Sequence, residues 1–193
     1  YAKDTSKKIR TVFKERMKAG KRCSGAVPYG FYRKDDDKDT LYVDENVRGV
    51  ITRIYKLAVE GKGVSHIAGI LTEEHIMIPA AYLEKFRPEM ARNHTYHDPY
   101  IWNATTVSRI IRQLEYKGDA VLSKTVSTGV GKKDRRKTTE DEIVIIPNAH
   151  EAIVDEDTWN TANRIIDGKK YKRLADGSYT HKLSGIVYCA DCG

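Results

Sequence analysis

The sequence predicts an α+β fold that is mainly helical, and three observations predict it. Apolar residues recur at three- and four-residue intervals in five segments, most of them preceded by Asp, Asn, Thr or Ser. Only two stretches, "GDAVLSKTVST" and "DEIVIIPN", carry the β-branched runs expected of strands. With 193 residues and 40% hydrophobic content, the chain can bury helical cores despite 32% charged residues.

In chain order, "DTSKKIRTVFKERMKAGKR" offers Asp4, Thr5 and Ser6 as caps. It sets Ile9, Val12, Phe13 and Met17 on one packing stripe and ends at Gly20. "GKRCSGAVPYGFYRKDDD" has no helical period and reads as an extended arm entering a new domain. Asp44 caps a helix with Val47, Val50, Ile51, Ile54 and Ala58 on one face; Gly61 ends it, and Gly49 inside it costs about 1 kcal/mol. Ser65 is the expected cap of a shorter helix that turns Ile67, Ile70 and Leu71 inward. Residues 77–101 lack a sustained period and read as a long connection with a helical turn near "AAYLEKF". Asn103 caps the next helix, Trp102 staples against Val107, and Val107, Ile110, Ile111 and Leu114 face the core. Strands at 119–127 and 142–147 follow, joined by the loop "GVGKKDRRKTTE", which is too long and too charged for a tight hairpin. Asp155 caps a last helix with Trp159, Ala162 and Ile166 inward and Val154 stapled to Trp159. A Lys/Gly/Asp-rich linker then leads to "HKLSGIVYCADCG"; no internal repeat is present.

The net charge of +7 is segregated. Residues 1–34 hold eleven Lys/Arg against two Asp/Glu, a net +9; residues 104–139 hold nine against three, a net +6; the remainder carries −8. Separate basic segments on an otherwise acidic chain suit a polyanionic partner, although any single basic run is equally a solvated face. No apolar run approaches the roughly 20 residues needed to cross a bilayer, and no signal-peptide core opens the chain, so no membrane partner is expected. Cys23, Cys189 and Cys192 are odd in number and do not form a secreted disulfide framework, which points to a reducing cytoplasm.

The helix opened by Asn103 carries Thr105, Thr106, Ser108, Arg109, Arg112 and Gln113 on its polar face, with no acidic residue among them. Such a face suits a DNA major groove: Arg bridges two guanine acceptors, Gln pairs with adenine, and Thr meets a thymine methyl or a phosphate. The competing reading is an ordinary solvated helix. The helix at 65–74 would be its helix-turn-helix-like partner, across a connection far longer than the usual turn. Lys18, Lys21 and Arg22, among small residues, have the composition of an arm lying along a minor groove. Lys132, Lys133, Arg135, Arg136 and Lys137 could each neutralise a phosphate and steepen the salt dependence of binding. Cys189 and Cys192 form one C-x-x-C knuckle, half of the four ligands that zinc needs. His94, His97 and Asp98 suggest a metal-dependent nuclease only weakly, and Cys23 has no base partner in sequence. There is no P-loop, nucleotide-binding glycine fingerprint or supported nucleophile motif. An RNA-binding accessory module is the alternative from another class, but its two strands lack interleaved aromatics that stack bases.

Taken in order, "TSKKIRTVFKERMKAGK", "VPYGFY", "VDENVRGVITRIYKLAVEGKGVSHIAGILTEEHI", "WNATTVSRIIRQLEYKGDAV", "NAHEAIVDEDTWNTANRII" and "LSGIVYCADCG" resemble the C-terminal half of the large serine recombinases, the serine integrases and transposon-encoded resolvase/transposase proteins. The resemblance implies a linker helix and arm at 1–25, a helical DNA-binding recombinase domain with a small β-hairpin at 26–168, a linker at 169–182 and the start of a truncated zinc ribbon at 183–193. It implies double-stranded DNA, an attachment or resolution site of a bacterial or phage-derived mobile element, as partner. In that family a preceding catalytic domain supplies the serine nucleophile, so this chain is expected to be the DNA-recognition part without catalytic residues or a cofactor of its own. Zinc, a dimer or tetramer, and activity in DNA integration or transposition are expected of the full-length protein.

Overall fold

Asp44 opens the first long helix by replacing a missing backbone partner with its own side chain. In the computed structural model, which describes residues 4, 5, 8, 11, 12, 15, 16, 27–91, 95–122, 125–127, 134–139 and 143–168, its Oδ1 accepts the Asn46 amide at 3.2 Å. Helix α1, Glu45–Val59, then buries Val47, Ile51, Ile54, Tyr55, Leu57 and Ala58. Each of the Val, Ile and Leu side chains among them, once removed from water, contributes roughly 1.5–3 kcal/mol. The helix stops where Gly61 adopts φ +85. The Gly61 and Lys62 amides bond back to Ala58 and Leu57 carbonyls at 3.0 Å each, the Schellman pattern that a left-handed residue permits.

Helix α2, Val64–Glu73, is capped by Gly63 rather than by Ser65. Extended backbone at Gly63 lets its carbonyl accept the Ile67 amide at 2.9 Å, so the helix begins one residue before the expected cap and Ser65 lies inside it. Pro79 sets the first turn of α3, Pro79–Phe86, a full helix where one turn was expected. Helix α4, Ala104–Arg112, is capped as the sequence predicts: Asn103 Oδ1 accepts the Thr106 amide at 2.8 Å. It ends earlier than the periodicity suggests. Gln113 turns extended, and Leu114–Lys117 form a 3-10 turn in which Leu114 is half-buried. Helix α5, Glu156–Gly168, starts at Asp155, whose carboxylate accepts the Thr158 amide at 2.8 Å and hydroxyl at 2.7 Å.

The segment read as an extended arm supplies the first strand of a small hairpin: β1, Phe31–Tyr32, pairs antiparallel with β2, Tyr42–Val43, just beyond it. Strand β3, Ala120–Leu122, pairs with β6, Val144–Ile146, near the predicted positions. The basic loop differs from expectation. The strand expected at 119–127 is divided into β3 and β4, Thr125–Ser127, and β4 pairs with β5, Arg135–Lys137, which lies inside the segment read as loop. Ladder bonds are made by main-chain groups, so a run of basic residues does not by itself prevent a strand. Residues 123–124 separate β3 from β4 whereas 138–143 separate β5 from β6, so the two pairs do not share one register.

Described residues from Tyr29 to Ile166 share one apolar core. Helix α1 packs on α5, and α2 packs on α4 despite the long connection between them. That connection is pinned: Trp102 donates its backbone amide to Thr72 Oγ1 at 3.0 Å and its ring N–H to the Ile76 carbonyl at 2.8 Å. The Tyr55 hydroxyl lies 3.1 Å from both the Ile110 and Ile111 carbonyls, and Tyr116 donates to the Tyr29 carbonyl at 2.8 Å. Burial pushes the Tyr29, Tyr55 and Tyr116 phenols up, so Tyr55 and Tyr116 remain protonated donors. At the N-terminus the described residues Asp4, Thr5, Lys8, Thr11, Val12, Glu15 and Arg16 are helical. Val12, on the predicted packing stripe, is exposed; periodicity marks an apolar face without supplying something to cover it.

Candidate nucleic-acid interface

Helix α4 meets the core through Val107, Ile110 and Ile111 and turns the intervening residues outward. Thr105 and Arg109 are exposed, while Thr106, Ser108, Arg112 and Gln113 are half-buried. Two concavities flank this face. The smaller, about 410 Å³, is lined by Thr105, Ser108, Arg109 and Arg112 together with Val64 at the start of α2. The larger, about 690 Å³, is lined by Thr106, Arg109 and Gln113 and, from other elements, by Arg33, Lys34, Lys38, Asp35 and Glu89 over a floor that includes Tyr29 and Ile110. Arg109 borders both. Among the described residues no carboxylate lies within ion-pair distance of it.

Arg112 differs. Its Nη2 lies 2.7 Å from Asp167 Oδ1, so α5 brings to this face the carboxylate that α4 itself lacks. The acid-free helical stripe is therefore acid-free in sequence and only partly so in space.

The remaining sequence-predicted residues divide by location. Lys18, Lys21, Arg22, Lys132 and Lys133 lie outside the described residues, as do Cys189, Cys192, Cys23 and His94. The backbone of Arg135 pairs with Ser127 in the β4–β5 ladder, and Arg136, opposite Val126, is exposed. Asp98 accepts the Tyr100 amide at 2.7 Å, a local turn contact. Among the described residues no group of three His, Cys, Asp or Glu side chains is placed to hold a metal, and no helix is long and apolar enough to cross a membrane.

Sequence reasoning missed the turn at 33–38 as part of this site. "RKDDDK" cancels in a charge count, which conceals its geometry. Asp37 turns its carboxylate onto its own loop: Oδ1 accepts the Asp39 and Thr40 amides at 3.1 Å each, and Oδ2 accepts the Tyr42 hydroxyl at 3.0 Å. Those bonds, from Thr40 first, hold the Asp37 carboxyl below the usual carboxylate range and raise the Tyr42 phenol. The signal was present in the Asp-x-x-Thr spacing, an Asx-turn pattern that marks an ordered turn.

A family model described as Recombinase matches residues 45–169. A Bacillus subtilis (strain 168) protein described as "Putative DNA recombinase" is 26% identical over 193 residues, covering 93% of this chain. The chain spans 34% of the length of that relative. A chain from a solved structure titled "Crystal Structure of a LSR-DNA Complex" is similar over 82% of this chain and 38% of its own, at 17% identity and a TM-score of 0.46.

Proposed function

Because the chain belongs to the recombinase family, whose model spans more than half of it, we propose that it recognises one half of a recombination site on double-stranded DNA. In this reading α4 enters the major groove, α2 supports it, and the serine chemistry resides in a part of the full-length protein outside this chain. The observation that carries the reading is the outer face of α4: Thr105, Thr106, Ser108 and Gln113 around an exposed Arg109 that has no carboxylate partner among the described residues. A guanidinium in that state presents its fork to guanine O6 and N7 without first breaking an ion pair. Arg112 would have to leave Asp167 to do the same, so Arg109 is the principal base reader and Arg112 a conditional one.

Lys18, Lys21 and Arg22 are assigned the minor-groove side, and Lys132, Lys133, Arg135 and Arg136 the phosphate backbone, on composition alone. Cys189 and Cys192 would supply two thiolates to a zinc site completed elsewhere in the full-length protein. An RNA platform finds no support in the strands, since β3 to β6 contain no aromatic residue. Binding-site selection from random duplex DNA at near-physiological salt tests the reading. Enrichment of one motif, with duplex preferred over single-stranded RNA, is expected; an unenriched pool or equal competition by RNA overturns it.

A further inference from the structure

The larger concavity beside α4 has a second wall, and we propose that this wall, the turn at 33–38, grips a phosphodiester of the same duplex through Lys34 and Lys38, with the Tyr42 ring as the positioning residue for Lys34. The inference rests on duplex binding by α4 and adds to it a backbone contact at residues that sequence composition hides.

Lys34 and Lys38 are both exposed and line the cleft that Arg109 and Thr106 line from α4. Among the described residues neither ammonium has a carboxylate partner. Lys34 is nonetheless held in place. Its Nζ sits 4.0 Å from the centroid of the Tyr42 ring, a cation–π distance. Tyr42 is fixed in turn, its hydroxyl bonded to Asp37 and its ring 5.8 Å from that of its cross-strand partner Tyr32. Arg87 covers Tyr32 at 4.4 Å and reaches Asp44 Oδ2 at 3.4 Å, which ties the ladder to the cap of α1. A lysine on open surface loses much rotamer freedom when it contacts a ligand; one already seated on a ring loses less, so its contact is worth more.

Charge selects the ligand. Arg33, Lys34, Lys38 and Arg109 face two carboxylates, Asp35 and Glu89, in the cleft lining, while Asp37 is turned onto its own backbone. The occupant should be anionic. Arg109 and Thr106 belong both to the cleft and to the outer face of α4, so a duplex laid on the helix brings its own phosphates to the cleft mouth. Phosphates flanking a read groove are the usual positioning contacts. An acidic polypeptide would have no equivalent reason to span both surfaces.

The test uses the chain as it stands, titrated with the selected duplex and with a scrambled duplex over a range of salt. Lys34→Ala combined with Lys38→Ala is expected to weaken both complexes roughly tenfold and to reduce the slope of log K against log salt by roughly 2, leaving base preference unchanged. Tyr42→Leu should match Lys34→Ala and add nothing to it, while Tyr42→Phe, which keeps the ring, restores binding. Thermal midpoints of the lysine variants should stay at the wild-type value, since both side chains are exposed. Wild-type affinity and slope in the double variant, beside a loss in Arg109→Ala, would remove the turn from the interface and leave the reading of α4 standing. Equal losses in Tyr42→Phe and Tyr42→Leu would end the positioning role. No duplex binding by the wild-type chain overturns both proposals, and lysine-dependent binding of polyglutamate without duplex binding would reassign the cleft to an acidic polypeptide.

Discussion

Arg109 and Arg112 stand three residues apart on one helix, and the fold separates their chemistry. Arg112 is held by Asp167 at 2.7 Å, whereas Arg109 stands exposed between two concavities. Arg109→Ala is therefore expected to cost roughly 1–3 kcal/mol on the selected duplex and to relax preference at a single base position. Parallel titrations on matched and mismatched duplexes check it, and a uniform loss on every sequence would reassign Arg109 to the backbone. Gly118 shows a different constraint. It adopts φ +97, and a Cβ built there would lie 2.9 Å from the His150 carbonyl oxygen. Left-handed strain and a backbone clash act together, so Gly118→Ala should destabilise the fold by roughly 1–3 kcal/mol. A denaturant midpoint equal to that of wild type would refute this. The approaching carbonyl belongs to His150, distant in sequence, and left no local trace.

Caps are the features of individual helices that were most legible. Asp44, Asn103 and Asp155 all cap as predicted, because each bond closes within three residues of the cap and depends on little else. Ser65 failed because Gly63 took the extended conformation first and its carbonyl started the helix. For α4 the cap is expected to be worth about 1 kcal/mol: Asn103→Ala should lower stability by that amount, and Asn103→Asp should largely preserve it. Urea titration distinguishes the three proteins, and identical midpoints would show the bond to be inert. At α5, hydrogen bonds from Thr158 hold the Asp155 carboxyl below its ordinary range. A depressed native pKa means that the cap stabilises the folded state above the unfolded value near 4 and loses that effect as pH falls through the native value. Wild type should therefore melt higher than Asp155→Ala at about pH 6, and the gap should close on acidification; a gap constant to about pH 2 would contradict the assignment.

Tyr55 shows how the assembled core supports helix α4. From α1 its hydroxyl reaches the Ile110 and Ile111 carbonyls in the last turn of α4, where it joins the Gln113 amide on the first and Asn163 Nδ2 on the second. Tyr55→Phe is expected to cost about 1 kcal/mol, with amide hydrogen exchange rising in α4 before α1. Uniform exchange across the core would mean that the bond does not anchor the helix. Periodicity and caps made α1, α2, α4 and α5 readable from the chain, together with the acid-free order of residues on α4, because these depend on neighbours within a turn or two of helix. Four features needed the folded molecule. They are the ion pair that withdraws Arg112, the strand formed by Arg135–Lys137, the exposure of Val12, and the turn at 33–38 that completes the larger cleft beside Arg109. The ion pair and the cleft depend on groups far apart in sequence, the strand on backbone pairing that side-chain charge masks, and the exposure of Val12 on what does or does not cover it, none of which local spacing encodes.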